Sequence, residues 1–598
     1  MVVRQHELRA VSAALIALCG CVDGDIDDID FTVETHVEDW RDEVIYQLMV
    51  DRFANGDPGN DFRLDPNPTT LARFKGGDWQ GIIDNLDYIE ELGVTTLWIS
   101  PIIRNVDFDA GFDGYHGYWA VHLERLNPHF GDLAVLRTMV DECHARGIKV
   151  VLDIVTNHLG QVFYYDINQN GQPDETLAGG FPENPGNPQA GPISPVTRIT
   201  EYDPDFDIRG IQSLTSLGEA GPAPIRFFDM PEIFRVPPEP RIFQTREAYN
   251  LRGKVIDWNE REQVVLGDFP GGLKDIDTTN LEVRDEMVRI YSDWALKADL
   301  DGFRIDTLKH IEHEFWVDFT HRVRERLASQ GKTNFLMFGE AFDGDDVLVG
   351  SYTMPGELDS VFYFPQKFQV FDDVFANGGP TSNIQRLFDA RAVNYGSEAQ
   401  PGGIGVSPQS ALVNFIDNHD VPRFLFRNRD TRALRAAVSY LLTQDGIPCI
   451  YYGTEQDFAG GNDPANREPL WFSEYRTDGE TFRWIARLNG VRRQYAALRR
   501  GDFAIRWASD RTGDESDAGI IAFERTAGAE AALVVINAHG NHPSRTSYEG
   551  SAMATDLTGT LVDVISGDRF TVSGGTLDVE VEPYGTRILV PEAQFVGP

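Results

Sequence analysis

Cysteine, long apolar runs and positive charge are all scarce in this 598-residue sequence. Of its four cysteines, Cys19 and Cys21 fall near the start, and only Cys143 and Cys449 remain for the body. So few cysteines exclude a disulfide framework, and we expect Cys143 on a helix and Cys449 on a strand, both as buried free thiols. The apolar run at 10–18 is too short to cross a bilayer as a helix.

Acidic residues greatly outnumber basic ones: the sequence has 53 Lys and Arg and 94 Asp and Glu, which gives a net charge of -41. Such a balance repels phosphate backbones and excludes nucleic acid as a partner. It also suits divalent cations, but a solvated acidic surface of the kind found in salty habitats is the favoured explanation of the excess. The proportions of charged and hydrophobic residues, 25% and 41%, are typical of a folded globular protein. The length predicts two to four domains.

The start of the chain has the pattern of a targeting segment. Arg4 and Arg9 precede the apolar run, which ends in Leu18-Cys19-Gly20-Cys21. This ending resembles a bacterial lipoprotein cleavage box, which implies a signal peptide at 1–21 and a lipidated Cys21. The protein would then be exported and anchored to a bacterial membrane or cell surface. The alternative is an ordinary secretory signal and a secreted protein. Residues 22–40 are predicted to be an acidic tether.

Short apolar runs alternate with amphipathic segments through most of the chain. This order predicts an α/β fold, a (β/α)8 TIM barrel formed by 41–158 and 281–500. The long Gly-, Pro- and Asp-rich stretch at 159–280 is predicted to be a domain inserted after strand three. The β-branched runs at 501–598 predict a C-terminal all-β sandwich domain. The predicted barrel strands are 44–50, 96–99, 149–155, 301–306, 335–339, 361–364, 412–416 and 448–452, and the clearest helices are 133–146 and 281–297.

Three carboxylates come at or just after the ends of predicted barrel strands. Asp306 ends GFRID, Glu340 ends FLMFGE and Asp420 ends LVNFIDNHD. The carboxyl ends of barrel strands converge on one face, where catalysis takes place. Arg304 lies two residues before Asp306, so both side chains point to the same side of the strand. Each acid alone could belong to a structural salt bridge. Together they indicate chemistry on a glycosidic bond.

Several longer motifs occur in order along the same strands and carry a family resemblance. The chain resembles the α-amylases of glycoside hydrolase family 13, of the secreted, fungal type. The motifs are YHGYW at 115–119, DIVTNH at 153–158, LKDIDTTN at 273–280, GFRIDTLKH at 302–310, GEAF at 339–342, FIDNHD at 415–420 and GGNDPANRE at 460–468.

The resemblance implies a role for each acid. Retaining cleavage of an acetal needs an ionised nucleophile and a protonated acid about 5 Å apart. By resemblance Asp306 is the nucleophile, Glu340 the general acid/base and Asp420 the carboxylate that grips sugar hydroxyls. Arg304 would keep Asp306 ionised, since a neighbouring cation lowers a carboxyl pKa. Sugar contacts are implied, on the same basis, for Tyr115, His116, Tyr118, His158, Arg304, Lys309, His310, His419, Asp463 and Arg467. Packing at the barrel mouth is the alternative for Tyr118.

Calcium is the cofactor that the family implies, because Ca²⁺ takes six to eight oxygen ligands. The resemblance places one site at Asn157, Asp275 and the backbone oxygen of His310. A second resembles a loop of cyclodextrin glucanotransferases. A third, DINQNGQPDE at 166–175, has the front half of an EF-hand-type loop without its final glutamate, and an Asx-rich turn is the alternative. The second site comprises Asn55, Asp57, Asn60, Asp61, Gly76 and Asp78, and the third Asp166, Asn168, Asn170 and Asp174.

Three functions fit this sequence. The first is retaining endo-hydrolysis of α-1,4-glucosidic bonds in starch, glycogen or maltodextrins, by a protein that we expect to be a monomer. The second is an α-glucanotransferase, but cyclising relatives carry a bulky aromatic just before the LKD-like segment. Here Phe269-Pro270-Gly271-Gly272 ends in glycines that offer no ring, which favours hydrolysis. The third is a non-catalytic glycan-binding surface lipoprotein, and the three retained acids argue against it.

Overall fold

The computed structural model describes residues 33–109, 111–166, 206, 208–211, 223–269 and 271–597. Eight parallel strands form a barrel in the hydrogen-bonded order β6-β5-β4-β3-β2-β1-β8-β7. A bridge between Phe362 and Val413 joins the two outer strands and closes the ring. The strands are β1 Ile45–Leu48, β2 Thr96–Ile99, β3 Lys149–Ile154, β4 Gly302–Ile305, β5 Leu336–Gly339, β6 Ser360–Val361, β7 Val413–Phe415 and β8 Ile447–Tyr451.

Every residue in seven of these strands is buried, because side chains of one face fill the barrel and those of the other meet the helices. Ile45, Trp98, Val151, Phe338 and Cys449 belong to the cluster inside the barrel. The α-helices around it are α1 Trp79–Asp84, α2 Leu86–Leu92, α3 Leu133–Ala145, α4 Arg261–Leu266, α5 Leu281–Ala298, α6 His313–Ser329, α7 Asp346–Ser351, α8 Ser382–Asn394, α9 Thr431–Thr443, α10 Glu480–Gln494 and α11 Ala496–Arg500, with shorter ones at Val50–Phe53, Phe364–Gln366 and Phe424–Arg427 and a π-helix at Lys367–Ala376.

Short antiparallel strands occupy the long connections above the barrel. His158–Leu159, directly after β3, pairs with Lys274–Asp275, so the two ends of the long stretch at 159–280 are joined by backbone hydrogen bonds. Phe163–Tyr165 pairs with Ile225–Phe227. The remaining short strands of this region are Ile103–Asn105, Phe108–Asp109, Phe112–Asp113 and Ala120–Leu126.

The C-terminal region is all-β. Its six-stranded antiparallel sheet comprises β9 Asp502–Ala508, β10 Ile520–Ala527, β11 Glu530–Asn537, β12 Thr560–Asp563, β13 Arg569–Thr571 and β14 Thr586–Pro591. Alternate residues of β10 face opposite sides. Ile521 and Phe523 join the main core, whereas Ile520 and Ala522 pack with Met553 and Val581 from small strands over the other face. Those strands are Ser544–Arg545, Ser547–Tyr548, Ser551–Ala554, Thr576–Leu577 and Glu580–Val581.

The predicted fold class is confirmed, and the predicted strands differ from the observed ones mainly at their ends. The strand predicted at 361–364 is the clearest difference, because β6 covers only Ser360–Val361 and a short helix begins at Phe364. Cys143 on α3 and Cys449 on β8 are buried free thiols, as predicted. The predicted signal peptide, Cys21 and residues 22–32 of the acidic tether lie outside the described residues. Within the described part of the chain, we find no helix with the length and apolarity needed to cross a membrane.

Candidate active site

The three predicted acids line one cavity at the carboxyl ends of the strands. Asp306 directly follows β4, Glu340 directly follows β5, and Asp420 lies on the loop after β7. Gly339, just before Glu340, lets the Leu308 and Leu358 side chains pack against the strand, since a Cβ there would stand 2.6 Å from Leu308. The cavity has a volume of about 470 Å³ and is also lined by Phe112, His116, Tyr118, Trp119, His158, Phe269, Leu273, Thr307, His310, Phe342, His419, Asp463 and Arg467.

Arg304 lies buried beneath this cavity and contacts the acids above it. Its guanidinium is fully buried, and Nη1 donates to Asp306 Oδ1 at 2.9 Å and to Asp153 Oδ1 at 2.9 Å. Its Nη2 lies 2.7 Å from Glu340 Oε2. One cation therefore contacts three buried carboxyl groups and fixes the positions of Asp306 and Glu340 relative to each other.

The two neighbouring acids differ in proton affinity. Burial raises the pKa of Asp306 to about 6, against the opposing effect of Arg304. Burial raises the pKa of Glu340 further, to about 8, and the charges of Asp306 and Asp420 add to the increase. At neutral pH this arrangement keeps Asp306 mostly ionised and Glu340 mostly protonated. It is the division of roles expected between a nucleophile and a proton donor.

Burial keeps the histidines of the cavity neutral. It lowers the pKa of His158 to about 4 and that of His419 to about 3, and it holds the pKa of His116 well below 6.5. Because Gln47 donates its Nε2 to His419 Nδ1 at 2.7 Å, we assign the proton of His419 to Nε2. Nε2 then donates to the Tyr118 hydroxyl at 2.8 Å. Neutral imidazoles in fixed tautomers can donate hydrogen bonds to sugar hydroxyls.

Asp420 is held from the far side by Arg467. Arg467 Nη2 donates to Asp420 Oδ1 at 3.2 Å, and Nη1 pairs with Asp463 at 2.9 Å. Burial alone would raise the pKa of Asp420, but His419, Arg467 and Arg304 more than offset it and lower the pKa. Asp463 and Arg467, which were each predicted to contact the sugar, both line the cavity and also contact each other.

Three of the predicted substrate-contact residues do not line the cavity. Arg304 lies beneath the acids, and Tyr115 is fully buried with its ring 3.8 Å from the Arg52 guanidinium. Lys309 Nζ is bound to the Phe342 carbonyl at 2.6 Å and to Asp343 at 3.1 Å. In this conformation these residues position other groups instead of facing the cavity.

The sequence assigned no role to Asp153 and did not indicate that the Phe269 ring would line the cavity. Asp153 is buried under the site, with a pKa raised by burial to about 6, and accepts from Arg304 and the Tyr118 hydroxyl. The sequence feature that could have indicated Asp153 is that it is the only acid inside the apolar run VVLDIV. Phe269 lines the cavity and its ring stacks on His158 at 5.6 Å. The expectation of no ring in this neighbourhood was therefore wrong: only the loop tip, Gly271 and Gly272, lacks one.

The first predicted calcium site has suitable chemistry. Asp275 is buried, and its carboxylate accepts from Asn250 Nδ2 at 2.7 Å. Burial and the charge of Asp268 hold its pKa well above the usual range. No cationic side chain of the described residues pairs with it, so a bound cation would keep it ionised. The Asn157 carbonyl accepts from Ile276 next to Asp275, and the donor set of carboxylate, amide and backbone oxygen fits a hard cation.

The second predicted site is also assembled in space. Asp78 is fully buried and accepts from Gly56, Asp57 and Asn60, and Asn60 Oδ1 is a buried oxygen without a hydrogen-bond donor. A Cβ on Gly76 would stand 2.5 Å from both Asn55 and Asp61, so all six predicted residues lie in one loop cluster. For the third site, Asp166 is buried and contacts Arg226 at 3.0 Å. Asn168, Asn170 and Asp174 lie outside the described residues.

Comparison with known proteins agrees with this geometry. The family described as "Alpha amylase, catalytic domain" matches residues 47–198 and 235–549, and "Maltogenic Amylase, C-terminal domain" matches 513–588. An alpha-amylase of Streptomyces lividans is 31% identical over 88% of this chain and 58% of its own length. Alpha-amylase 2 of Schwanniomyces occidentalis is 28% identical over 92% of this chain and 90% of its own length.

Solved structures give the same result. The α-amylase of Geobacillus thermoleovorans, crystallised with acarbose, superimposes with a TM-score of 0.68 and 25% identity over 93% of this chain and 99% of that one. CldA, a three-domain cyclomaltodextrin glucanotransferase, superimposes with a TM-score of 0.67 and 25% identity. The match covers 92% of this chain and 99% of that one. With the barrel, the all-β C-terminal region and the acid cluster in place, this protein belongs to the alpha-amylase family and is a glycoside hydrolase.

Proposed function

We propose that the protein hydrolyses internal α-1,4-glucosidic bonds of starch, glycogen or maltodextrins with retention of configuration. Asp306 attacks the anomeric carbon while Glu340 protonates the departing glycosidic oxygen, which gives a covalent glycosyl-enzyme. Glu340, now ionised, takes a proton from water, and that water releases the sugar from Asp306.

The observation that carries this proposal is the shared guanidinium. Arg304 contacts both Asp306 and Glu340, yet the pKa of Asp306 is about 6 and that of Glu340 about 8. Two carboxyl groups held close together with different proton affinities are the requirement for this chemistry. In this proposal Asp420 and the neutral His116, His158 and His419, which line the cavity, hold the sugar hydroxyls.

Calcium enters the proposal as a structural ion. Asn157, Asp275 and the His310 carbonyl would hold one ion, and the cluster around Asp78 a second. The bound ions would supply positive charge that neutralises buried carboxylates and joins the loops above the barrel. Asp275 follows Lys274 on the strand paired with His158–Leu159, so the first ion would fix the wall that carries His158.

The test is an isosteric change of the proposed nucleophile. Asp306→Asn should lower kcat/KM on soluble starch on the order of 10⁴-fold or more, because the amide cannot form the covalent intermediate. Starch affinity, measured by co-sedimentation, should change little. Asp389→Asn, at an exposed position on α8, serves as the matched control and should leave activity unchanged. Turnover of Asp306→Asn at the wild-type rate would rule out the nucleophile assignment.

Glucanotransfer is the second candidate, and one observation favours it. The Phe269 ring at the cavity wall could receive an acceptor sugar, and CldA shares the fold. Products of a timed starch digest decide between the two. Hydrolysis predicts a steady increase in reducing ends with linear maltooligosaccharides. Cyclic products, or maltotriose converted mainly to longer and shorter sugars, would establish transfer as the main reaction.

A further inference from the structure

A second polar cluster lies at the opposite end of the barrel from the catalytic cavity. Asp299 follows α5 and precedes β4, and His144 lies in the last turn of α3. The N-terminal segment 33–39 passes here and brings His36 to the same place. The nitrogen and carboxylate oxygen atoms of His36, His144 and Asp299 all lie within 4.8 Å of one another.

Both imidazoles face the same oxygen, Asp299 Oδ2. His36 Nε2 is 3.1 Å from Asp299 Oδ2, and His144 Nδ1 is 3.7 Å from the same atom. The two imidazoles stack at 3.6 Å between centroids. Ligands on a tetrahedral Zn²⁺ with bonds of about 2.0–2.1 Å stand about 3.3 Å apart, which is close to these separations.

The tautomer of His144 supports a cation at this point. Its Nε2 is 2.8 Å from Asp301 Oδ2, and that carboxylate also accepts from the Val150 amide at 2.9 Å. With the proton on Nε2, Nδ1 offers its lone pair on the side of Asp299 Oδ2, where a metal ion can bind both atoms. A carboxylate bound to the far nitrogen of a metal-binding histidine is also the usual supporting contact of zinc sites.

We propose that His36, His144 and Asp299 form a Zn²⁺ site, with water as the fourth ligand. Two imidazoles and one carboxylate suit this metal, whereas the oxygen-rich calcium loops do not. Lys332 pairs with the other oxygen, Asp299 Oδ1, at 2.6 Å and leaves Oδ2 facing the histidines. Arg137 Nη2 stands 3.7 Å from Oδ2, and its Nε pairs with Asp141 at 2.9 Å.

Zinc at this site would fasten the start of the folded region to the barrel. The neighbouring residues are held by hydrogen bonds and by packing: Glu34 N donates to Asp299 Oδ1 at 3.1 Å, Lys332 Nζ donates to the Glu34 carbonyl at 2.9 Å, and Val37 is buried in the core. The metal would add bonds from α3 and from the loop before β4 to His36. Segment 33–39 would then open less often when zinc is present.

The experiment uses tag-free protein saturated with Ca²⁺, so that the oxygen-rich sites are filled before Zn²⁺ is added. Calorimetry should show one Zn²⁺ per chain, and Co²⁺ in its place should give the visible absorption of a tetrahedral site. His36→Ala should weaken zinc binding by at least about 10-fold, since it removes one of three protein ligands. Zinc should slow hydrogen exchange of segment 33–39 in the wild type and not in His36→Ala.

Two matched controls separate this site from other histidines. His321→Ala removes an exposed histidine of α6, and His539→Ala breaks the His539–His542 pair of the C-terminal region, whose rings are 4.1 Å apart. Both variants should bind zinc as the wild type does. The proposal is overturned if stoichiometric zinc binding is absent. It is equally overturned if His36→Ala and His144→Ala bind zinc normally, because the cluster would then be only a set of histidine–carboxylate hydrogen bonds.

Discussion

At the scale of single residues, Arg304 determines what the acids of this protein can do. It contacts Asp153, Asp306 and Glu340 from beneath the cavity, and it is fully buried. A lysine could not replace it, since an ammonium group lacks the planar set of donors that spans three carboxyl groups. The sequence indicated the pairing with Asp306 from the two-residue spacing. It gave no indication that Arg304 also contacts Glu340, because that contact depends on the β4–β5 register, where Arg304 lies opposite Phe338.

The pKa values of this pair predict a bell-shaped pH profile. Asp306 must be ionised, so kcat/KM should fall as the pH drops through about 6. Glu340 must be protonated, so kcat/KM should fall as the pH rises through about 8. Initial rates on a chromogenic maltooligosaccharide from pH 4 to 10 (roughly the span that covers both limbs) measure this directly.

Asp420→Asn tests whether the charge of Asp420 sets the acidic and alkaline limbs of this pH profile. The charge of Asp420 raises the pKa of Asp306 and of Glu340, so its removal should move both limbs of the residual activity to lower pH. Asp343→Asn, which changes an acid bound to Lys309 at the cavity rim, is the control and should leave the limbs in place. Unmoved limbs in Asp420→Asn would contradict the assigned cause.

At the scale of elements, the barrel strands were predictable because each is a short, buried apolar run. β2 was predicted at its observed bounds, and β3, β4 and β5 within one residue at each end. The strand predicted at 361–364 failed because Phe362 and Phe364 are buried in the core although neither lies in a strand. Hydrophobicity alone does not distinguish a buried strand residue from a buried residue outside a strand. The position of Phe269 was missed for another reason: its antiparallel bridge with Leu273 places its ring at the cavity, and that depends on backbone geometry.

The Thr381 hydroxyl at the start of α8 connects the barrel to the C-terminal sheet. Thr381 is fully buried, donates to the Ile520 carbonyl at 2.7 Å and accepts from the Ser509 amide at 2.8 Å. Thr381→Val keeps the shape but leaves both backbone groups unpaired, which should lower the free energy of unfolding by about 1–3 kcal/mol in urea melts. Thr571→Val, at an exposed position of β13, should change it far less. Equal stability of the two variants would mean that these bonds contribute little.

At the scale of the whole molecule, calcium should link stability and activity. An excess of EGTA should lower both the melting temperature and starch hydrolysis, since ions bound only by the folded state stabilise it. Added Ca²⁺ should restore both, and Mg²⁺ should not, because it prefers a smaller octahedral site. Asp275→Asn should make the melting temperature less sensitive to Ca²⁺, with Asp277→Asn as the control on the same loop. An unchanged melting temperature on chelation would mean that the loops bind no calcium.

The cleavage box at the start of the chain supports a further whole-molecule proposal, that the exported protein is lipidated on Cys21. Cys21→Ala should prevent lipid attachment and shift the protein from the membrane fraction to the soluble exported fraction of a bacterial host. Cys19→Ala is the matched control, and it should leave the membrane fraction unchanged. Fractionation and mass spectrometry of the N-terminal peptide measure both outcomes. A soluble, unmodified wild-type protein would support the secreted alternative.

The path of segment 33–42 has a consequence for bulky substrates. Glu34 contacts Asp299, Trp40 donates to the Asn334 carbonyl at 2.9 Å, and the Arg41 carbonyl accepts from Arg492. All of these contacts lie where strands enter the barrel, whereas the acids stand where strands leave it. The described segment 33–42 therefore lies at the end of the barrel opposite the acids, and none of these contacts narrows the mouth of the cavity that a large substrate must enter.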